Sequence, residues 1–317
     1  MSVTTADIFG SNRAPQPAVP GSYGEAPSVA PLPDALRLGP VRLLVSDLAR
    51  SQAWYEQVLG LVPLRPPAPS QVLALGAAGD TEPLVLLDTA PGITGIRPGS
   101  RLGLYHFAIL MPDRASLGRF VRHLSAIGAR AGASDHLVSE ALYLTDPDGL
   151  GIEVYADRPR DTWQRLGREL MMATDPIDMP SVLASAGNTT WQGMPIGTRM
   201  GHLHLHVGDL GKARAFYADA MGFTRMVWRY PGALFLGAGG YHHHLGVNTW
   251  AGGAPSPGPN DARLAEWNVV LPSDADVDRV LTQVAQAGFV VDQQHRVLTD
   301  PWGSALRLAT DGASPSV

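Results

Sequence analysis

The chain contains no cysteine. Disulfides, cysteine-bound zinc and thiol nucleophiles are thereby excluded. It has no run of five lysines or arginines, and 24 basic residues face 29 acidic ones for a net charge of −5. That balance offers nothing to a nucleic-acid backbone. No apolar run approaches the ~18 residues of a membrane span. The first 36 residues hold one basic residue, Arg13, and no apolar signal-peptide core. A cytoplasmic protein is expected, with no nucleic-acid or membrane partner; a homodimer stays open.

What is present is ample apolar material, 45% of 317 residues, enough for two domains with real cores. The 35 glycines and 27 prolines make up about a fifth of the chain and call for many turns and short strands. Six prolines crowd residues 1–36. That stretch reads as an extended or loosely ordered tail, with Leu32, Leu36 and Leu38 offering apolar anchorage.

Internal repeats organise the remainder. Residues 41–64 (VRLLVSDLARSQAWYEQVLGLVPL) recur 162 positions later as 203–226 (LHLHVGDLGKARAFYADAMGFTRM). Leu43, Val45, Asp47, Leu48, Ala53, Tyr55 and Gly60 return as Leu205, Val207, Asp209, Leu210, Ala215, Tyr217 and Gly222. Each copy predicts a strand ending at an Asp that caps a helix. The helix should bury an aromatic pair, Trp54 with Tyr55 or Phe216 with Tyr217, and stop at Gly. A weaker pair matches 106–129 with 266–289, and both continue into Thr-Asp-Pro-x-Gly, a hairpin-type turn between alternating runs. Four strand–helix–strands units follow, at about 39–90, 103–157, 200–250 and 264–310. Residues 158–199 form a long ordered connector, with a helical stretch near 161–172.

Four βαβββ modules of this size resemble the vicinal-oxygen-chelate superfamily, over about residues 39–310. The resemblance implies an α+β fold in which modules pair into two half-open barrels. Its boundaries here are a tail over 1–36, modules 1 and 2 over 37–157, the connector 158–199, and modules 3 and 4 over 200–317. It also implies a divalent metal on a concave face, held from the first and last strands of modules. His106 stands seven residues before Asp113, and His202 stands seven before Asp209. Glu153 lies in GIEVY, on the last strand of unit two. Two imidazoles and one carboxylate suit non-haem Fe(II), and Mn(II) equally. His202, His204 and His206 alternate and share one strand face, so His204 is the alternative ligand. At the matching positions units one and four carry Pro40, Glu266 and Arg307, which cannot supply this triad. One site per chain is expected, which requires modules 2 and 3 to form the metal-bearing barrel and modules 1 and 4 a vacant one.

Residues 136–153, HLVSEALYLTDPDGLGIE, resemble the signature of extradiol ring-cleaving dioxygenases. His136, Leu142, Tyr143, Asp146, Pro147, Gly149 and Glu153 fit its spacing, and Ser134 departs from it. The same enzymes carry a His-His pair whose second member is the acid–base residue. In GGYHHHLGVNTW that position is His243, on an alternating strand, with His242 and His244 as bystanders. Segments such as GLYHFAIL, SEALYL and IEVYADRPRDTW are similar to the bacterial catechol 2,3-dioxygenase-like family. The implied activity is insertion of O₂ into a small aromatic diol at Fe(2+), or Mn(2+), in aromatic hydrocarbon catabolism. His243 would move the proton, and Tyr143 and His136 would orient the ring oxygens. Hydroquinone cleavage, a glyoxalase-type lyase or isomerase, and a metal-free binding protein are the alternatives.

Overall fold

Each predicted strand–Asp–helix junction forms, because the Asp side chain can accept from a backbone amide that the first helical turn leaves unpaired. In a computed structural model describing residues 3–10, 14–64 and 72–311, Asp47 accepts from Arg50 N at 3.0 Å. Asp113 accepts from Ser116 N at 2.6 Å, and Asp209 accepts from Lys212 N at 2.7 Å. Arg13 and residues 65–71 of unit one lie outside the described residues. In the helices Arg114–Ala126 and Asp274–Gln286, apolar side chains recur at helical spacing and one face is buried: Leu117, Phe120 and Leu124, then Val277, Val280, Leu281 and Val284.

Units one and three depart from a plain helix. Leu48–Trp54 widens into a π-turn over Tyr55–Leu59, and Leu210–Ala213 widens over Arg214–Ala220. Gly60, at φ 68°, then ends the first of these in the left-handed region, where a side chain would be strained. Tyr55, Phe216 and Tyr217 are buried, while Trp54 is only partly covered. The two tyrosines do more than fill space. Tyr55 Oη donates to Asp146 in the Asp-Pro-x-Gly turn of unit two at 3.2 Å. Tyr217 Oη donates to Asp300 in the corresponding turn of unit four at 2.8 Å. The other oxygen of each carboxylate accepts backbone amides of its own turn. Burial nonetheless lifts the Asp146 carboxyl to about 6. Tyr217→Phe should therefore cost about 1–3 kcal/mol, read by urea unfolding, because a buried acceptor loses its donor. An unchanged midpoint would show that water replaces the hydroxyl.

Among the described residues, the strands of the four units form two eight-stranded sheets. In one, unit three contributes Thr224–Val227, Ala233–Gly237, Leu245–Asn248 and Arg199–His206. Unit two continues it with Gly103–Leu110, Gly151–Asp157, Ser139–Thr145 and Gly132–Asp135. The other sheet joins units four and one in the same order, through Arg263–Leu271 and Arg37–Leu44. Within each unit the first and last strands run parallel, and units meet through antiparallel first strands. One hydrophobic core, including Leu43, Phe107, Phe120, Leu205, Phe216 and Trp267, spans all four units. These are α+β half-barrels of mixed strands.

Two regions differ from the expectation. The connector is not helical over 161–172. A single 3₁₀ turn at Arg160–Thr162 leads into an antiparallel hairpin, Gln164–Leu166 with Glu169–Leu170. Gly167 takes φ 68° at its two-residue turn, a geometry that favours a hairpin over a helix. The connector's helix comes later, at Met179–Ser185, capped by Asp178. Nor are the described residues of the N-terminal stretch loose. Gln16–Pro17 adds a third strand to the connector hairpin, and Glu25 bridges to Arg225. Ala18 and Tyr23 pack with Trp163, Leu170, Met172, Tyr230 and Phe235 in a second apolar cluster. The prolines stiffen this segment without detaching it, since its apolar residues find a surface to cover.

Candidate metal centre

The antiparallel junction of units two and three builds the site. His204 pairs with His106 there, but the register breaks twice, after Met200 and after His204. The second break skips Tyr105 as a bulge, so the consecutive Tyr105 and His106 both line the concave side. In the parallel neighbour strand Ala108 pairs with Glu153, and across the sheet Tyr143 pairs with Glu153. Twist and register therefore bring His106, Glu153 and His202 together, all buried, with one ligand atom from each within 4.8 Å of the others.

Nε2 of His106 and Nε2 of His202 lie 3.1 and 3.3 Å from the same oxygen, Oε2 of Glu153. His106 Nε2 lacks the alignment of a hydrogen bond, and it is buried without a partner, as are Glu153 Oε1 and His202 Nδ1. Orphaned buried polar atoms are costly, and a shared cation would satisfy those that converge. The charge states agree. Burial alone would raise the Glu153 carboxyl, but His202 and His106 outweigh it and hold it well below the usual range. Burial pushes both imidazoles down, against the pull of Glu153. A carboxylate and two neutral imidazoles are the forms a divalent ion requires. The donor set fits such an ion, with nitrogen and oxygen ligands and no sulfur.

His204 is not brought to Glu153 as a ligand. Asn248 Oδ1 accepts from Trp250 N at 3.0 Å and from His206 Nδ1 at 2.6 Å. The Asn248 amide nitrogen is therefore turned to His204 and donates to its Nε2 at 2.9 Å. His204 also fills the place of a fourth ligand. Its ring faces Gly246, the counterpart of Glu153 in unit three, and a Cβ there would come within 2.9 Å of that ring. In the other half-barrel the counterparts Glu266 and Arg307 pair with each other at 2.8 Å.

Around the triad run two chains of hydrogen bonds. His136 Nδ1 donates to the carbonyl of Ala173 at 2.6 Å, so in the neutral ring its Nε2 accepts from the Tyr143 hydroxyl. Burial, then the Glu153 charge, pushes the Tyr143 phenol well up, so it keeps its proton. His243 sits just before the strand Leu245–Asn248 and not on it, in the turn His242–His244. The turn still places the His243 ring 4.1 Å from the His202 ring, centroid to centroid. His242 is no bystander. Its Nε2 donates to Asp157 at 3.0 Å, and its Nδ1 lies 2.7 Å from His243 Nδ1. With the His242 proton committed to Asp157, His243 Nδ1 is the donor, and the His243 Nε2 lone pair is left free. Burial, reinforced by His202 and His242, holds the His243 imidazolium well below its ordinary pKa. His244 is walled off in the core, its Nδ1 accepting from Ala238 N at 3.3 Å.

A cavity of about 910 Å³ opens on these groups, lined also by Tyr105, Met172, Tyr230, Phe235 and Trp250. Sequence reasoning missed these residues. Tyr105 is adjacent to His106, and alternation alone puts it on the other face. Trp250 lies beyond the strand. Asp157, four residues past Glu153, was findable only through its partner His242.

The family description that matches this chain is the Glyoxalase/Bleomycin resistance protein/Dioxygenase superfamily, over residues 37–154 and 199–308. The chain belongs to this superfamily. Its two matched stretches are the two sequential pairs of units. Among curated relatives, the Catechol-2,3-dioxygenase of Bacillus subtilis (strain 168) is 43% identical over 261 residues, covering 81% of this chain and 90% of that one. The 2,2',3-trihydroxybiphenyl dioxygenase of Sphingomonas paucimobilis is 25% identical over 66% of each chain. Among solved structures, glyoxalase I from Zea mays superposes with a TM-score of 0.52 at 19% identity, over 87% of this chain and 92% of that one. That likeness shows the superfamily fold. No helix among the described residues is long and apolar enough to cross a membrane.

Proposed function

We propose that this protein is an extradiol dioxygenase, opening a catechol-type ring with O₂ beside its two hydroxyls. The observation that carries the reading is the 43% identity to the Bacillus catechol-2,3-dioxygenase over nine-tenths of its length. The buried His106–Glu153–His202 cluster is consistent with it. Those three residues would hold the ion, Fe(2+) or Mn(2+). When bound, such an ion supplies Lewis-acid activation of a phenol and electron exchange with O₂.

The chain's own groups do the rest. His243 Nε2, unprotonated and beside His202, takes the proton of one catechol hydroxyl and returns it later. The Tyr143 oxygen, already donating to His136, has lone pairs free to receive the second hydroxyl and fix the ring's orientation. Tyr105, Phe235 and Trp250 line the cavity and offer the ring aromatic surface. A lyase with two ligands from each unit would need a carboxylate at Gly246, where the His204 ring leaves no room.

The direct test is oxygen uptake by reduced, iron-loaded protein over a panel of catechols and hydroquinones. One O₂ consumed per catechol, with a yellow ring-opened product, is expected. Uptake with hydroquinones alone would move the reading to that neighbouring chemistry, and no uptake with any diol would overturn it. The hydrogen-bond chain behind His243 gives a second test. Asp157→Asn removes the charge that commits the His242 proton, so kcat should fall about 10–10²-fold with metal content unchanged. A kcat equal to the parent's would show that His243 needs no such support.

A further inference from the structure

Part of the cavity wall not made by the sheet comes from the N-terminal stretch and the connector, two segments outside the four units. Val3 belongs to the N-terminal stretch, and Met172, Ala173 and Thr174 belong to the connector. They are fastened to each other and to the site. Thr174 N donates to the Val3 carbonyl at 2.9 Å. Thr5 donates to Asp175 through both its amide, at 3.0 Å, and its hydroxyl, at 2.5 Å. Asp175 exchanges backbone hydrogen bonds with Asp135, and Ala173 accepts from His136. Thr4 and Asp7 form a reciprocal capping box at the N-terminus of the short helix Thr5–Phe9, fixing the backbone that follows Val3. Val3 and Ile8 pack on the apolar cluster that contains Tyr230 and Phe235.

The chemistry of this wall is one-sided. Among the described residues it holds no lysine or arginine, and its one charged side chain is Glu153, at the triad. Thr174 and Tyr230 satisfy each other through a 2.5 Å hydrogen bond. A diol held by its two oxygens at the triad must direct the rest of its ring toward the remaining wall. A cavity of about 910 Å³ is at the large end of small-molecule sites, far more than an unsubstituted ring fills.

We infer that the N-terminal segment is a specificity wall: Val3, with Met172 and Thr174, receives an uncharged, apolar substituent on the diol. A carboxylate there would be buried with no cationic partner and so is rejected. This rests on the ring-cleavage reading for turnover but not for binding. Val3 acts on the substituent and not on the reacting oxygens.

The test compares catechol, an alkyl- or phenyl-substituted catechol and a carboxylated catechol. The parent should show kcat/KM at least about tenfold higher for the apolar diol than for the carboxylated one. Val3→Phe shortens the wall and should raise KM for the phenyl-substituted diol about tenfold, leaving that for catechol nearly unchanged. Quenching of tryptophan fluorescence, through Trp250 in the cavity, reads binding without turnover. Equal or better use of the carboxylated diol overturns the inference. So does a Val3→Phe effect equal for bare and substituted rings. If no diol is turned over but quenching keeps the apolar preference and its Val3 dependence, the wall stands and the ring-cleavage reading falls.

Discussion

Glu153→Ala should strip the protein of its metal. The carboxylate is the only anionic member of the triad, and both imidazole Nε2 atoms converge on its Oε2. Residues that merely support ligands typically change metal affinity 10–100-fold, so loss of a charged ligand should cost about a hundredfold or more. The variant, loaded with iron and dialysed, is expected to retain well under one ion per chain, against one for the parent. Oxygen uptake should vanish with it. Metal content equal to the parent's would remove Glu153 from the site. A parent content near two per chain would place a second ion in the other half-barrel, where the Glu266–Arg307 pair already neutralises the counterpart carboxylate.

His243→Phe should separate chemistry from metal retention. The ring lies against His202 yet offers its free nitrogen away from the hydrogen bond to His242. Phenylalanine keeps the aromatic packing with Phe235 but can carry no proton. A positioned acid–base group contributes about 10²–10⁴-fold, and a loss of that size is expected in kcat, with iron content intact. Single-turnover measurements under limiting oxygen would read it. A variant that loses its iron instead would make His243 a ligand or a ligand's support. A variant of unchanged kcat would pass the proton role elsewhere, with Tyr143 the nearest candidate.

Much of the scaffold was legible because it is written twice. Asp47 and Asp209 occupy one register, and the physical task there, capping a helix behind a strand, admits few residue types. The same register logic singled out His202 over His204, and the structure turns His204 toward Asn248. What stayed hidden was either irregular or remote. The bulge that turns Tyr105 inward depends on the antiparallel partner's spacing, which no local pattern encodes. The His242–Asp157 contact joins residues 85 apart in sequence and on different units. Proline content made residues 1–36 look like a tether, since proline signals the absence of a ladder but not of packing. The connector's Trp163, Leu166, Leu170 and Met172 look helical in spacing until Gly167 is given its turn.

The tyrosine contacts have a further consequence. Sheets join unit two to three and unit four to one, while Tyr55 and Tyr217 join one to two and three to four. The four units thus close into a ring in which every neighbour in sequence is also a neighbour in space. A ring has no privileged starting point. Opening the backbone in the connector and joining the ends elsewhere would preserve every contact between units. A simple cut there would leave His106 and Glu153 on one fragment and His202 on the other, so a metal centre could form only when the two fragments reunite.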